Sequence, residues 1–235
     1  GIGLTLAIKE LPIKGEPPKT LKQAVIEPFK DFFSRNSISG AITVLAFMVM
    51  YKFGDNMATA LSTPFYIDLG FTLTEIGVIA KNAALWPAII GGMMGGVLML
   101  RIGINKGLWV FGFVQVVTIL GFAALAEVGA NKWMLALVVS MEYLGVGLGT
   151  AAFTAFIART ANPLFAATQL ALFTALASLP RTVVNAFTGI MVEHLGWFDF
   201  YLLCALTAIP GMLLLFKVAP WGADNDNAME PTEKS

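Results

Sequence analysis

The chain has 235 residues, of which 57% are hydrophobic and 13% charged, with basic and acidic residues in balance. Its charge content is about half that of an ordinary soluble domain, and its zero net charge leaves no electrostatic footprint for nucleic acid. The single Cys204 and the single His194 exclude a disulfide framework, a thiolate metal cluster and the usual two- or three-histidine metal sites, so no metal and no cofactor is expected.

In chain order, Gly1–Ile8 reads as the end of an apolar segment cut short, without the charged n-region or cleavage site of a signal peptide. This start, and the absence of an initial Met, predict the C-terminal part of a longer protein. Polar and basic residues follow to Asn36, with Pro12, Pro17 and Pro18 breaking regular structure early. From Thr20, Leu21, Val25, Phe29, Phe32 and Phe33 recur at helical spacing among charged residues. That pattern predicts an amphipathic helix, lying on the membrane surface or in a solvated linker. Residues 1–36 are therefore expected to hold the end of a preceding transmembrane helix and a linker.

Six apolar segments occupy residues 37–219, at about Ile38–Pro64, Thr74–Leu100, Leu108–Ala126, Lys132–Ile157, Pro163–Val192 and Phe200–Val218. Each reaches or nears the roughly 20 residues needed to cross about 30 Å of hydrocarbon. Residues 220–235 form a short polar tail. Eleven Lys and Arg residues fall on one side of this topology and only Lys132 on the other. That bias places the linker, the second–third and fourth–fifth loops and the tail in the cytoplasm.

Five ionisable residues interrupt the apolar segments: Lys52, Asp55, Lys81, Glu142 and Arg181. A charge at membrane depth costs about 3 kcal/mol on insertion scales, so such groups face a polar cavity or a partner. They fall in the first, second, fourth and fifth segments, leaving the third and sixth clean. Two charged segments and one clean one, occurring twice, predict an all-α integral membrane bundle of two three-helix inverted repeats. Such a bundle is the architecture of a transporter half.

Lys52 and Asp55 are three apart and share a helical face, as a structural ion pair or as a proton or substrate site. Lys81 and Asn82 make a second polar patch, unless Lys81 snorkels to the interface near Glu75. Gly91, Gly92, Gly95 and Gly96 fit a close helix–helix contact or a hinge. Glu142, flanked by Tyr143, is a lone deep carboxylate. In hydrocarbon such a group suits a proton carrier, or it serves as a structural partner for a nearby cation. Arg181 follows Pro180 at a bend, with Asn185 one turn on, and its bidentate geometry suits an anionic substrate or Glu142. Gln169 is a softer candidate, while Gln115 reads as a bridge between helices.

The run from Gly96 to Lys106 resembles the cytoplasmic gating loop of major facilitator transporters, with Gly96, Arg101, Gly103 and Lys106 matching. Leu100 stands where that loop has an acid, and Ile104 where it has an arginine. Further stretches resemble the AmpG-type muropeptide permeases of that superfamily. They are Pro18–Val25, Pro28–Phe33, Tyr51–Asp55, Gly149–Phe153, Ala167–Phe173, Gly196-Trp197 and Pro210-Gly211. The resemblance covers nearly the whole chain and corresponds to the second half of such a permease.

It implies a proton-driven, multi-pass importer in the bacterial inner membrane, completed by an N-terminal half and monomeric by superfamily default. The implied substrates are N-acetylglucosaminyl-anhydro-N-acetylmuramic acid fragments with or without stem peptide. Their recycling feeds β-lactamase induction in that family. It also implies that helices three and six are peripheral in the complete fold. A transporter of another sugar, peptide or drug, or of acetyl-CoA, is the rival reading. A membrane-embedded enzyme would need a nucleophile–base set or a metal site at membrane depth, and one His and one Cys cannot supply a metal cluster; a non-transporting scaffold or sensor does not explain the repeat of charges.

Overall fold

Apolar segments leave their backbone N–H and C=O groups without water as partners, so in hydrocarbon they must close their hydrogen bonds internally as helices. The computed structural model describes residues 21–35 and 37–222, apart from the side chains of 21–25, 180 and 183–186, and every regular element in it is helical. The N-terminal apolar stub, the start of the linker and the polar tail from residue 223 lie outside the described residues.

Helix α1 is Leu21–Arg35, the amphipathic segment. The long helices are α2 (Ile38–Asp68), α3 (Leu73–Ile102), α4 (Ile104–Val128), α5 (Lys132–Thr160) and α6 (Ala166–Val218). Five helices among the described residues are long and apolar enough to cross a membrane, and Pro163–Leu179 adds a shorter apolar one where the fifth segment was expected.

The fifth and sixth segments are both contained in α6, as legs 166–195 and 197–218 separated by a single non-helical residue, Gly196, at φ 78° and ψ 168°. Gly103, between α3 and α4, has nearly the same torsions, φ 81° and ψ 166°. Only glycine occupies that region without steric strain. The same one-residue corner thus joins the second to the third segment and the fifth to the sixth, at equivalent places in the two three-helix repeats.

The most extensive helix contact is the seam of α3 with α5. A Cβ on Gly91 would strike the Leu144 carbonyl, and one on Gly147 would strike the Ala88 carbonyl and come within 2.7 Å of the Gly92 nitrogen. Gly91 and Gly95 therefore serve close approach, whereas Gly92 and Gly96 have open space where a Cβ would stand. The second leg of α6 packs across α2 and α4, with Trp109 against Phe216 at 4.6 Å and Phe122 stacked on Tyr201 at 5.0 Å. Within this half the third and sixth segments thus each bury one face, while Phe113 and Val117 of the third and Leu206, Leu213 and Phe216 of the sixth leave another face exposed.

Two apolar clusters divide the core along its length. One gathers Phe65, Phe122, Leu135, Phe200 and Tyr201. The other gathers Phe47, Tyr51, Phe111, Phe153, Phe156 and Leu215. Between them lies a waist crossed by the middle of α2, α4 and α5. There α2 loses regular helix twice, at Lys52 (φ −98°, ψ 5°) and Leu61 (φ −109°, ψ 24°).

Candidate functional site

The waist is polar, and three of the five intramembrane charges meet in it. The Lys52 ammonium lies 2.6 Å from Asp55 Oδ2, with side-chain exposures of 12% and 7%. Lys52 sits at the first break of α2 and Asp55 in the first turn of the helical piece that follows. From α5, Glu142 is completely buried, in electrostatic reach of Asp55 and Lys52 and beside the Thr118 hydroxyl of α4. Among the described residues, neither Glu142 oxygen nor Asp55 Oδ1 has a partner in hydrogen-bonding geometry.

Gln115 of α4 is 4% exposed and its Nε2 is also without such a partner; a Cβ on Gly149 would collide with its amide. Burying ions is expensive unless each is matched, and here the Lys52 ammonium pairs with Asp55 while Glu142 has no direct cation partner among the described residues. Tyr51, beside Lys52 in the chain, donates its hydroxyl to the Leu108 carbonyl at 3.0 Å.

Lys81 and Asn82 stand on α3, directly after a π-helical turn at Ile76–Ala80. Both are exposed in this half, and Asn82 Nδ2 donates locally to the Val78 carbonyl. Lys81 does not pair with Glu75, because Glu75 closes a capping box on Thr72 and binds Lys132 Nζ at 2.7 Å, tying the starts of α3 and α5. A cavity of about 40 Å³ between α2, α3 and α5 brings Lys81 to Ser62, Thr63, Tyr66 and Tyr143. Tyr143 is half-buried and in electrostatic reach of Asp55, Glu142 and Arg181. Tyr143 thus stands between the waist and the two outer cations. Arg181 is exposed on the first leg of α6, and Asn185 follows on the same leg with its side chain outside the described residues.

Gln169 lies elsewhere, in a clasp where α1 meets the α5–α6 corner. It is 1% exposed, donates to the Pro28 carbonyl at 2.8 Å and to Asp31 Oδ2 at 3.1 Å, and accepts from the Asn162 backbone N–H at 2.6 Å. Asp31 also holds Arg35 at 2.9 Å.

Of the gating-loop residues, Gly103 forms the corner, Arg101 is exposed, and Gly96 and Lys106 are partly covered. The firm polar contact at this end is made by Asn105, which accepts from Arg159 Nη2 at 2.6 Å and donates to the Pro220 carbonyl at 3.2 Å. Asn105, Arg159, Asp31 and Asn162 carried no signal beyond being polar residues near helix ends. Thr118, one turn from Gln115 on α4, was the readable hint at the waist. Among the described residues, no group of three or more His, Cys, Asp or Glu side chains gathers as metal ligands would. What the site presents is a Lys52–Asp55 ion pair, an enclosed carboxylate at Glu142, and two exposed cations at Lys81 and Arg181.

Comparison with known proteins follows the same line. No family model matches the chain. It is 48% identical over 211 residues to an uncharacterized protein of Haemophilus influenzae, covering 87% of this chain and 50% of that protein. It is 37% identical over 219 residues to the anhydromuropeptide permease of Escherichia coli K12, covering 92% of this chain and 44% of the permease. A protein of Rickettsia conorii named as an AmpG transporter is 36% identical over 191 residues, covering 81% and 45%. The chain spans about half the length of the curated relatives it matches. With its apolar helices, this likeness makes it a multi-pass membrane protein.

Proposed function

Since this chain belongs to the AmpG-type permease family, we propose that it is the second six-helix half of a proton-coupled importer of cell-wall turnover muropeptides. The observation that carries the reading is the waist: a largely buried Lys52–Asp55 pair with, beside it, a fully enclosed Glu142 whose oxygens have no hydrogen-bond partner among the described residues. Asp55 and Glu142 exchange the coupling proton, with Lys52 as the fixed cation that one or the other releases during the cycle. Lys81 and Arg181, exposed on this half, meet substrate carboxylates once an N-terminal half closes the cavity over them. Tyr143, Asn82 and Asn185 supply hydrogen bonds to the sugar and peptide.

Three cations against two carboxylates leave the site positive by one charge, which suits an N-acetylglucosaminyl-anhydro-N-acetylmuramic acid fragment with its acidic groups. The protein works as a monomer in the bacterial inner membrane, with linker and C-terminus in the cytoplasm, as the Lys and Arg bias favours. Its substrate feeds peptidoglycan recycling and, through it, β-lactamase induction. The chemistry at the waist is transport, not catalysis.

The test is uptake of labelled anhydro-muropeptide by cells or vesicles carrying the full-length protein, with and without a protonophore. Proton-dependent uptake is expected, and it should fall in Asp55→Asn, Glu142→Gln, Lys81→Gln and Arg181→Gln variants that insert normally. Unchanged uptake in all four variants overturns the site assignment. No uptake by well-inserted protein leaves a transporter of other cargo, to be sought among sugars, peptides, drugs and acetyl-CoA.

A further inference from the structure

An apolar recess opens where the linker helix α1 docks against α2 and the first leg of α6. We propose that it holds an acyl chain of an anionic phospholipid from the cytoplasmic leaflet. The inference rests on the placement of the linker and of Arg181 proposed above. The recess has a volume of about 320 Å³ and is walled by Phe29 and Phe33 of α1, Leu45 of α2, and Leu172, Leu176 and Leu179 of α6. That is the lower end of the range of small-ligand pockets, about 300–1,000 Å³. Leu172 to Leu179 is two turns of helix, so the recess runs about 10 Å along that leg.

Its chemistry excludes a polar occupant. Gln169 is the one polar residue on the described wall, and the clasp uses both ends of its amide. Nε2 donates to the Pro28 carbonyl and to Asp31, while Oε1 accepts from the Asn162 backbone N–H and, at 3.4 Å, from Arg35 Nη2. No side-chain donor or acceptor on that wall is left for a saccharide or peptide, or for water, which needs two to four polar partners. A hydrocarbon chain needs none.

The direction in which the recess faces selects lipid over the second half of the transporter. At 3.6 residues per turn, Arg181 lies about 180° round the helix from Leu172 and about 140° from Leu176. Between the two flanks runs the stripe of Phe173 and Ala177, buried against the core. With Arg181 turned to the cavity between the halves, the recess is on the other flank. Beside it Ile26, Phe29 and Phe33, at helical spacing on α1, stay 40%, 45% and 37% exposed, with the exposed Lys30 next to them. Residues 9–35 hold six Lys and Arg against four Asp and Glu. An apolar stripe beside a basic segment sits at an anionic headgroup layer. The headgroup meets Lys30, and its chain enters the recess past Phe29 and Phe33.

The full-length protein in vesicles of phosphatidylethanolamine and phosphatidylglycerol, with a trace of phosphatidylglycerol carrying a diazirine on its acyl chain, tests the site. Light should attach the label to α1 and to the Leu172–Leu179 flank of α6, and unlabelled phosphatidylglycerol should displace it better than phosphatidylcholine does. Ala175→Trp, which fills the recess from an exposed position on its wall, should lose the label. Lys30→Gln should reduce the preference for phosphatidylglycerol about fivefold, the effect of one cation at an anionic surface. No label on this flank in the parent, as when the second half covers it, overturns the lipid site, and so does undiminished label in Ala175→Trp. Equal displacement by the two lipids overturns it too. Label gathered round Arg181 instead overturns the cavity placement of that residue, and the lipid site with it. The label is read without transport, so a failed uptake assay and a failed lipid site are separate results.

Discussion

Asp55 stands between an ammonium and a second carboxylate, and its two oxygens are used unequally. Oδ2 holds Lys52 at 2.6 Å, while Oδ1 has no hydrogen-bond partner among the described residues. Removing one member of a buried ion pair leaves the other uncompensated, at a cost of about 3 kcal/mol or more, whereas removing both can be nearly neutral. Asp55→Asn should therefore lower the thermal stability of the purified full-length protein clearly. The double variant Lys52→Met with Asp55→Asn should recover most of that loss while remaining inactive in uptake. Thermal unfolding of the parent, both single variants and the double variant closes the cycle. If Asp55→Asn melts with the parent, the pair contributes nothing to the fold and Lys52 has another partner. Glu142→Gln should cost far less, because it removes a charge that no ammonium directly touches among the described residues.

Among the elements, the corners carry the most specific demand. Gly196 at φ 78° and ψ 168° lies where a side chain costs about 1–3 kcal/mol. Gly196→Ala should thus lower the melting temperature, while Gly189→Ala on the preceding leg, where a Cβ meets nothing within 4 Å, should be neutral or slightly stabilising. Equal melting of the two variants would show that the corner does not need glycine.

The spans themselves were readable because about 20 apolar residues leave a chain in hydrocarbon no option but helix. The break of α2 at Leu61 has a readable cause in Pro64, which cannot donate to the Ala60 carbonyl and crowds it, whereas the break at Lys52 has no such proline and was not readable. Lys52 and Asp55 could be joined from their spacing of three, yet their meeting with Glu142 depends on how α2 and α5 cross. Gln169 looked like a cavity residue because its segment is apolar. Its real partners, Pro28, Asp31 and Asn162, come from a docked linker helix whose position no local pattern encodes.

For the molecule as a whole, what is uncovered matters as much as what is packed. The most apolar window of α3 is only 11% buried, against 44% for α4 and α5, and α3 also presents Lys81 and Asn82 uncovered. Arg181 is uncovered on α6 as well. Lipid can cover Leu85, Trp86, Ile89 and Met93, but each cation at membrane depth costs about 3 kcal/mol unless water or a partner meets it. A second half enclosing a wet cavity satisfies both the apolar face and the cations, and the relatives are about twice the length of the match. Supplying the two halves as separate polypeptides should therefore restore proton-dependent uptake, with the halves co-purifying from mild detergent. This chain alone should insert but not transport. Transport by this chain alone would mean that Lys81 and Arg181 find their partners within it or in a second copy, and the two-half arrangement would have to be given up.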